Sequence, residues 1–249
     1  MQELVDYREY RLSRMEELKC LGVAVLLAAV AAWILYKSLW GLMLCVVIFP
    51  VYRRNYRNRK TEERKRELLL QFKDGMQSVS VALLSGYSIE NSWQEAEREL
   101  LELYGAKAYM TTELHRMNGA IRMNQSVEQL LYQFALRTGC EDIVGFAEVF
   151  RFAKRSGGNM GRIIQNTIHR VADKQEVERE IATVLSGKKM EQKIMNIVPV
   201  CLLAYLNLTS EEFLAPLYGN LFGVCVMTVA FLAYIGALLL AQKMVTIRI

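Results

Sequence analysis

Few residues in this chain have the types and spacing that chemistry requires, and the most suggestive are the hexapeptide SGGNMG, Ser156–Gly161. A glycine-rich turn that opens a helix can cradle phosphate with its backbone N–H groups. A Walker loop also needs Lys and Ser or Thr at the start of the following helix, to reach the phosphates and the magnesium. Here Gly161 is followed by Arg162 and Ile163, and no strand-like run precedes the turn. A dinucleotide fingerprint requires that strand too. The hexapeptide therefore reads as a corner between helices, with Gly157 or Gly158 ending one helix and Asn159 capping the next.

No other cluster makes a reaction centre. The histidines are His115 and His169, and neither has a cluster of cysteines or carboxylates around it at metal-ligand spacing. His169 precedes Asp173 by four residues, the spacing of a surface helix pair. Glu95, Glu97, Glu99 and Glu102 read as a solvated helix face, and DKQEVEREI, Asp173–Ile181, as an exposed helix or a contact between helices. The cysteines at 20, 45, 140, 201 and 225 form no CxxC pair and read as small packing residues in a reducing compartment. No catalytic residue, cofactor or metal is expected.

The elements that carry these residues follow from how charge is distributed. Hydrophobic residues make up 53% of the 249 and charged residues 23%, so the two kinds must be segregated. Between Leu21 and Val51 the one charge is Lys37, and between Ile194 and Gln242 the charges are Glu211 and Glu212. Four apolar blocks result: Leu21–Tyr36, Leu39–Tyr52, Ile194–Leu208 and Leu221–Ala241, of 16, 14, 15 and 21 residues. They read as membrane segments, although crossing a bilayer takes about 20 apolar residues and only the last block reaches that. The others must thin the bilayer, extend with flanking residues or pack on other helices. The charged stretch ahead of the first block and the lack of a small-residue cleavage site argue against a signal peptide.

Orientation follows from the basic residues. RRNYRNRKTEERKR, Arg53–Arg66, carries eight Lys and Arg directly after the second block, which makes that side cytoplasmic. Two arrangements fit the first two blocks: a hairpin with its tip at Lys37–Ser38, or one bent span over 20–52. The bent span would leave Arg8, Arg11, Arg14 and Lys19 outside; the hairpin keeps them in the cytoplasm. A basic cluster beside an apolar block fits anionic lipid headgroups better than nucleic acid.

The organisation expected is thus a cytoplasmic segment 1–19, a membrane hairpin 20–52, a cytoplasmic all-α bundle 53–193, a membrane helix pair 194–242 and a tail 243–249. The middle contains no proline, and its apolar residues recur at helical spacing on six faces. These are Leu69–Phe72–Met76–Val79–Leu83, Trp93–Ala96–Leu100–Leu103, Leu114–Met117–Ile121, Val127–Leu130–Leu131–Phe134, Ile143–Phe146–Phe150–Ala153 and Ile164–Ile168–Val171–Ile181–Val184. One-sided faces must pack together, so the six form an antiparallel bundle. The turns share a plan. GYSIE (Gly86–Glu90) and NQSVE (Asn124–Glu128) place Gly or Asn where a helix ends left-handed, and Ser88 or Ser126 where the next is capped. Ser126 with Gln129 also has the spacing of a capping box.

With those residues in view, the chain resembles a known family. LLSGYSIENSW at 83–93, FRFAKRSGGNMGRIIQNT at 150–167 and KIMNIVPV at 193–200, on this topology, look like the F family of type II secretion and type IV pilus inner-membrane proteins. The likeness covers roughly 68–200. A single domain with a hairpin before it and a helix pair after it is most similar to the platform proteins of the tight-adherence pilus. Asn124 stands where the family often has glycine, and Asn can adopt the same conformation. The resemblance implies an assembly platform without nucleotide hydrolysis of its own. It would contact a cytoplasmic secretion ATPase, pilin subunits and a paralogous platform protein or a second copy. The charged surfaces available for such contacts are Arg53–Arg66 and the long helix around Lys174, Glu178 and Arg179. A membrane-anchored signalling or adaptor protein and a small transporter are the other readings. The first would need a catalytic or receiver domain after the last block. The second would need mid-membrane polar sites, for which Asn196 and Pro199 are the deepest candidates.

Overall fold

The computed structural model describes residues 5–10, 12–35, 45–156, 159–209 and 220–245. Lys37–Ser38, Gly157, Gly158 and positions 210–218, between the last two apolar blocks, lie outside these residues. Every regular element among the described residues is helical: α1 (Arg14–Leu35), α2 (Cys45–Leu84), α3 (Ile89–Tyr104), α4 (Tyr109–Arg122), α5 (Val127–Thr138), α6 (Glu141–Ser156), α7 (Met160–Thr209) and α8 (Leu221–Val245). The chain divides into two compact units. One comprises Met1–Arg11 with Arg57–Glu176, the other Leu12–Tyr56 with Val177–Ile249, so α2 and α7 contribute to both.

In the first unit, each helix turns one apolar face inward. Leu68, Phe72, Met76 and Val79 of α2 are fully buried, with Leu69 and Leu83 packed at the edge. They meet Trp93, Ala96 and Leu100 of α3, Leu114 and Met117 of α4, Leu131 and Phe134 of α5, Phe146 and Phe150 of α6, and Ile164 and Ile168 of α7. The aromatic rings meet edge to face, Phe72 on Phe146 at 5.1 Å and Trp93 on Phe150 at 6.0 Å between centroids, the geometry their quadrupoles favour. Two expected faces run too far. Leu103 and Val184 are exposed. Leu103 lies in the last turn of α3, and Val184 in the part of α7 that belongs to the second unit.

Contacts between helix ends gather three turns at one end of this unit. Ser80, late in α2, donates to the carbonyl of Gly161, early in α7, at 3.0 Å. Trp93, early in α3, touches Phe150, late in α6, and its carbonyl accepts from Asn118, late in α4. Glu128, early in α5, pairs with Lys154, late in α6, at 2.8 Å. The turns after α2, α4 and α6 therefore share an end. The other end holds the turns after α3 and α5 and the N-terminal residues.

In the second unit, the N–H of Ser13 donates to Glu16 at 2.8 Å while its carbonyl accepts from N–H groups in the first turn of α1, a reciprocal start of the capping-box kind. Cys20, Ala24, Ala28 and Ala32 recur every four residues and are buried. Most of the larger apolar side chains of α1 lie exposed. Tyr234 of α8 donates to the carbonyl of Asn196 in α7, three residues before Pro199, which lacks the N–H a helix needs there. Among the described residues, no helix is long and apolar enough to cross a membrane. Glu16, Glu17 and Lys19 open α1, and Asn196, Pro199 and Asn207 interrupt the apolar end of α7.

Candidate functional surfaces

The three-turn end is built by the repeated turn plan. Gly86 (φ +91°) and Asn124 (φ +60°) both adopt positive φ after their helices. Ser88 Oγ accepts from the N–H of Asn91 at 3.3 Å and caps α3. Asn159 Oδ1 accepts from the N–H of Arg162 at 3.1 Å and caps α7. Ser126 stands at the N-cap of α5 but makes no cap bond. Its hydroxyl donates instead to the carboxylate of Glu128, which Lys154 also holds. The expected box with Gln129 does not form: the Ser126 hydroxyl is turned to donate to the ionised Glu128 carboxylate and accepts no N–H of the first turn. Burial pushes the Glu128 carboxyl up, but the Lys154 and Ser126 bonds outweigh it and bring the pKa down to about 2. Gly157 and Gly158 lie outside the described residues.

This end also carries side chains that the core does not use. Phe152 and Met123 are each 71% exposed, Tyr87 is 52% and Leu84 is 47%. Arg122, Arg155 and Arg162 are exposed beside them, and none of the three makes an ion pair among the described residues.

The opposite end holds a buried polar cluster that the periodicity does not announce. Glu113 of α4 has a side chain only 4% exposed. Its Oε1 accepts from Arg137 Nη1 at 3.0 Å and its Oε2 from Arg137 Nη2 at 2.7 Å, a two-pronged pair. Arg116 adds a bond at 2.6 Å to Oε2, and the phenol of Tyr7 donates to Oε1 at 3.3 Å. Desolvation pushes the Glu113 carboxyl up, but Arg137 and Arg116 outweigh it and hold it below its usual value. Desolvation and the neighbouring Glu113 charge push the Tyr7 phenol well above the usual tyrosine range. The N-terminal residues fasten around this cluster. The N–H of Tyr7 donates to the Arg137 carbonyl, and Arg137 donates to the Val5 carbonyl. Arg64 donates to the carbonyls of Asp6 and Glu9, with its guanidinium over the ring of Tyr7. The segment read as a plain cytoplasmic lead-in thus supplies a core side chain. One signal was available. Glu113 is in helical register with Met110 and Met117, on the apolar face of its own helix.

Lys174, Glu178 and Arg179 are exposed, but they do not fall in one unit. Lys174 closes the first, where it pairs with Asp142 of α6 at 2.8 Å; Glu178 and Arg179 belong to the second. His115 Nδ1 lies 2.7 Å from Glu97 on the surface, and His169 is exposed. The five cysteines are free. No group of metal-ligating side chains occurs among the described residues.

In the second unit the surface is apolar on helix after helix. Leu26 and Trp33 of α1, Met195 and Leu208 of α7, and Phe222 and Val229 of α8 are all exposed. No family model, curated protein or solved structure matches this chain.

Proposed function

We propose that the chain is an inner-membrane platform protein of a type IV-like pilus, of the tight-adherence kind, or of a type II secretion machine. In this reading the second unit lies in the bilayer, and the helical first unit, in the cytoplasm, couples a secretion ATPase to the assembly of pilin subunits. The observation that carries it is the run of exposed Leu, Val, Ile, Met, Phe and Trp along α1, the end of α7 and α8. Soluble monomers rarely expose contiguous apolar patches beyond a few hundred Å², and lipid is the cover that would suit several helices at once. The sequence supports the same reading. Leu221–Gln242 carries no charge, and the eight basic residues of Arg53–Arg66 follow directly on an apolar block. The shorter blocks would be held by packing on one another, as the buried Cys20–Ala32 stripe and the Tyr234–Asn196 bond allow.

The test is fractionation followed by labelling. Expressed in bacteria, the chain should stay with the membrane pellet after an alkaline carbonate wash. In a cysteine-free background of intact cells, an impermeant maleimide should label a cysteine at Thr209 and spare one at Ser126. Release by carbonate would overturn the membrane reading, and equal labelling of both sites would overturn the topology. Pull-down of a secretion ATPase from the same cells, with no ATP hydrolysis by the chain alone, tests the coupling role.

A further inference from the structure

We propose that the three-turn end of the first unit is a docking surface for an acidic protein segment that presents apolar side chains. Every residue in the argument belongs to this unit, so the inference stands apart from the membrane reading. Leu84, Tyr87, Met123 and Phe152 are exposed at this end; Val5, Leu101, Leu103, Tyr104 and Leu136 are exposed elsewhere in the unit, so exposure alone does not single the end out. Exposed apolar residues mark a contact surface only with a second feature beside them, and at this end that feature is charge. Charge then selects the occupant. At this end Arg122, Arg155 and Arg162 make no ion pair among the described residues, Lys154 is held by Glu128, and Glu90 is the remaining carboxylate of the three turns and their flanking residues. A surface with that surplus attracts acidic partners and repels basic ones, which sets specificity and association rate. Tyr and Arg are also the side chains that most often anchor interfaces.

The backbone suits the task. The positive φ of Gly86 and Asn124 and the caps from Ser88 and Asn159 fix the turns before any partner arrives. A surface ordered in advance loses little conformational freedom on binding.

The test uses the full purified chain in detergent and a displayed library of short random peptides. Selected binders should be enriched in Asp and Glu together with aromatic or aliphatic residues. Combining Arg122→Gln, Arg155→Gln and Arg162→Gln should weaken the selected peptides about tenfold or more, and the corresponding Arg→Lys set should retain most of the binding. Phe152→Ser should weaken them too, while Lys107→Gln, in the turn after α3, should not. Binding should fall as salt rises. Circular dichroism melts that match the parent would establish that the variants are folded. Binders that are neutral or basic, or acidic binders that hold the triple glutamine variant equally well, would overturn the proposal. So would phosphatidylglycerol vesicles that displace the peptides through the same arginines, since the occupant would then be a lipid surface.

Discussion

Tyr7 donates a hydrogen bond to Glu113 at 3.3 Å, across 106 positions of sequence, and both side chains are buried. The pair ties the N-terminal residues to α4, and Arg137 closes it from α5. A hydrogen bond to a charged acceptor contributes about 1.5–3 kcal/mol, so Tyr7→Phe should destabilise by roughly that much while leaving the ring packed on Tyr109 and Phe134. Glu113→Ala strands Arg137, whose side chain is 17% exposed. Removing one partner of such a buried pair costs about 3–5 kcal/mol. Thermal denaturation of the full chain measures both. A Glu113→Ala protein that melts with the parent would mean the cluster is incidental.

Acid should loosen the same unit. The folded pKa values of Glu113 and Glu128 both lie below the ordinary carboxylate value, near 4.5. A depressed pKa contributes stability that is complete above the unfolded value and is lost as pH falls through the folded one. For Glu128 that window runs from about 4.5 down to about 2. The melting temperature should therefore fall progressively below about pH 5. Glu128→Gln should lower stability at neutral pH and flatten the acid decline. Parallel pH profiles for parent and variant would refute the assignment of this dependence to Glu128.

Much of this could be read from the residues alone, and what was missed has a common cause. The inward faces of α3 to α6 follow the three- and four-residue spacing of Trp93, Leu114, Phe134 and Phe150, because burial of a helix is a periodic property. The left-handed positions at Gly86 and Asn124 and the cap at Ser88 are local too, so they show in the turn sequence. The Tyr7–Glu113–Arg137 cluster is not local. Its members are brought together by tertiary packing, and two tyrosines in a charged N-terminal stretch, Tyr7 and Tyr10, give no sign of it. The start of α4 is a similar case: Ala108 offers no cap, and Gln71 of α2 accepts from the N–H of Met110 at 3.0 Å instead. Ser126 failed as a box for the same reason, since Lys154 from another helix holds Glu128 beside it. Exposure of Phe152 was legible as well, because it falls off the Ile143–Phe146–Phe150–Ala153 face of its helix.

Asn124 tests whether the turn needs its conformation or its side chain. Its φ of +60° is left-handed, which costs an ordinary L-residue about 1–2 kcal/mol. Asn124→Val should therefore destabilise by that amount or more. Asn124→Gly should leave the melting temperature within a few degrees of the parent, because glycine adopts this region freely. The side chain would be the requirement if Gly and Val were equally damaging in chemical denaturation.

Gly161 makes a different demand, of space and not of φ. A Cβ added there would lie 2.9 Å from Leu84 Cγ and 3.2 Å from the backbone nitrogen of Leu84, on the same contact where Ser80 bonds the Gly161 carbonyl. The side chain of Leu84 is half exposed and can turn aside, but the backbone of α2 cannot. Gly161→Ala should cost about 1–3 kcal/mol, the usual cost of overpacking, and Gly161→Val more, since its branches must enter the same gap. Leu84→Ala should recover part of the alanine loss and little of the valine loss. A double-mutant cycle in urea denaturation reads this as a coupling of opposite sign to the single losses, about 0.5 kcal/mol or larger. Strict additivity would mean that Gly161 and Leu84 do not meet at this point.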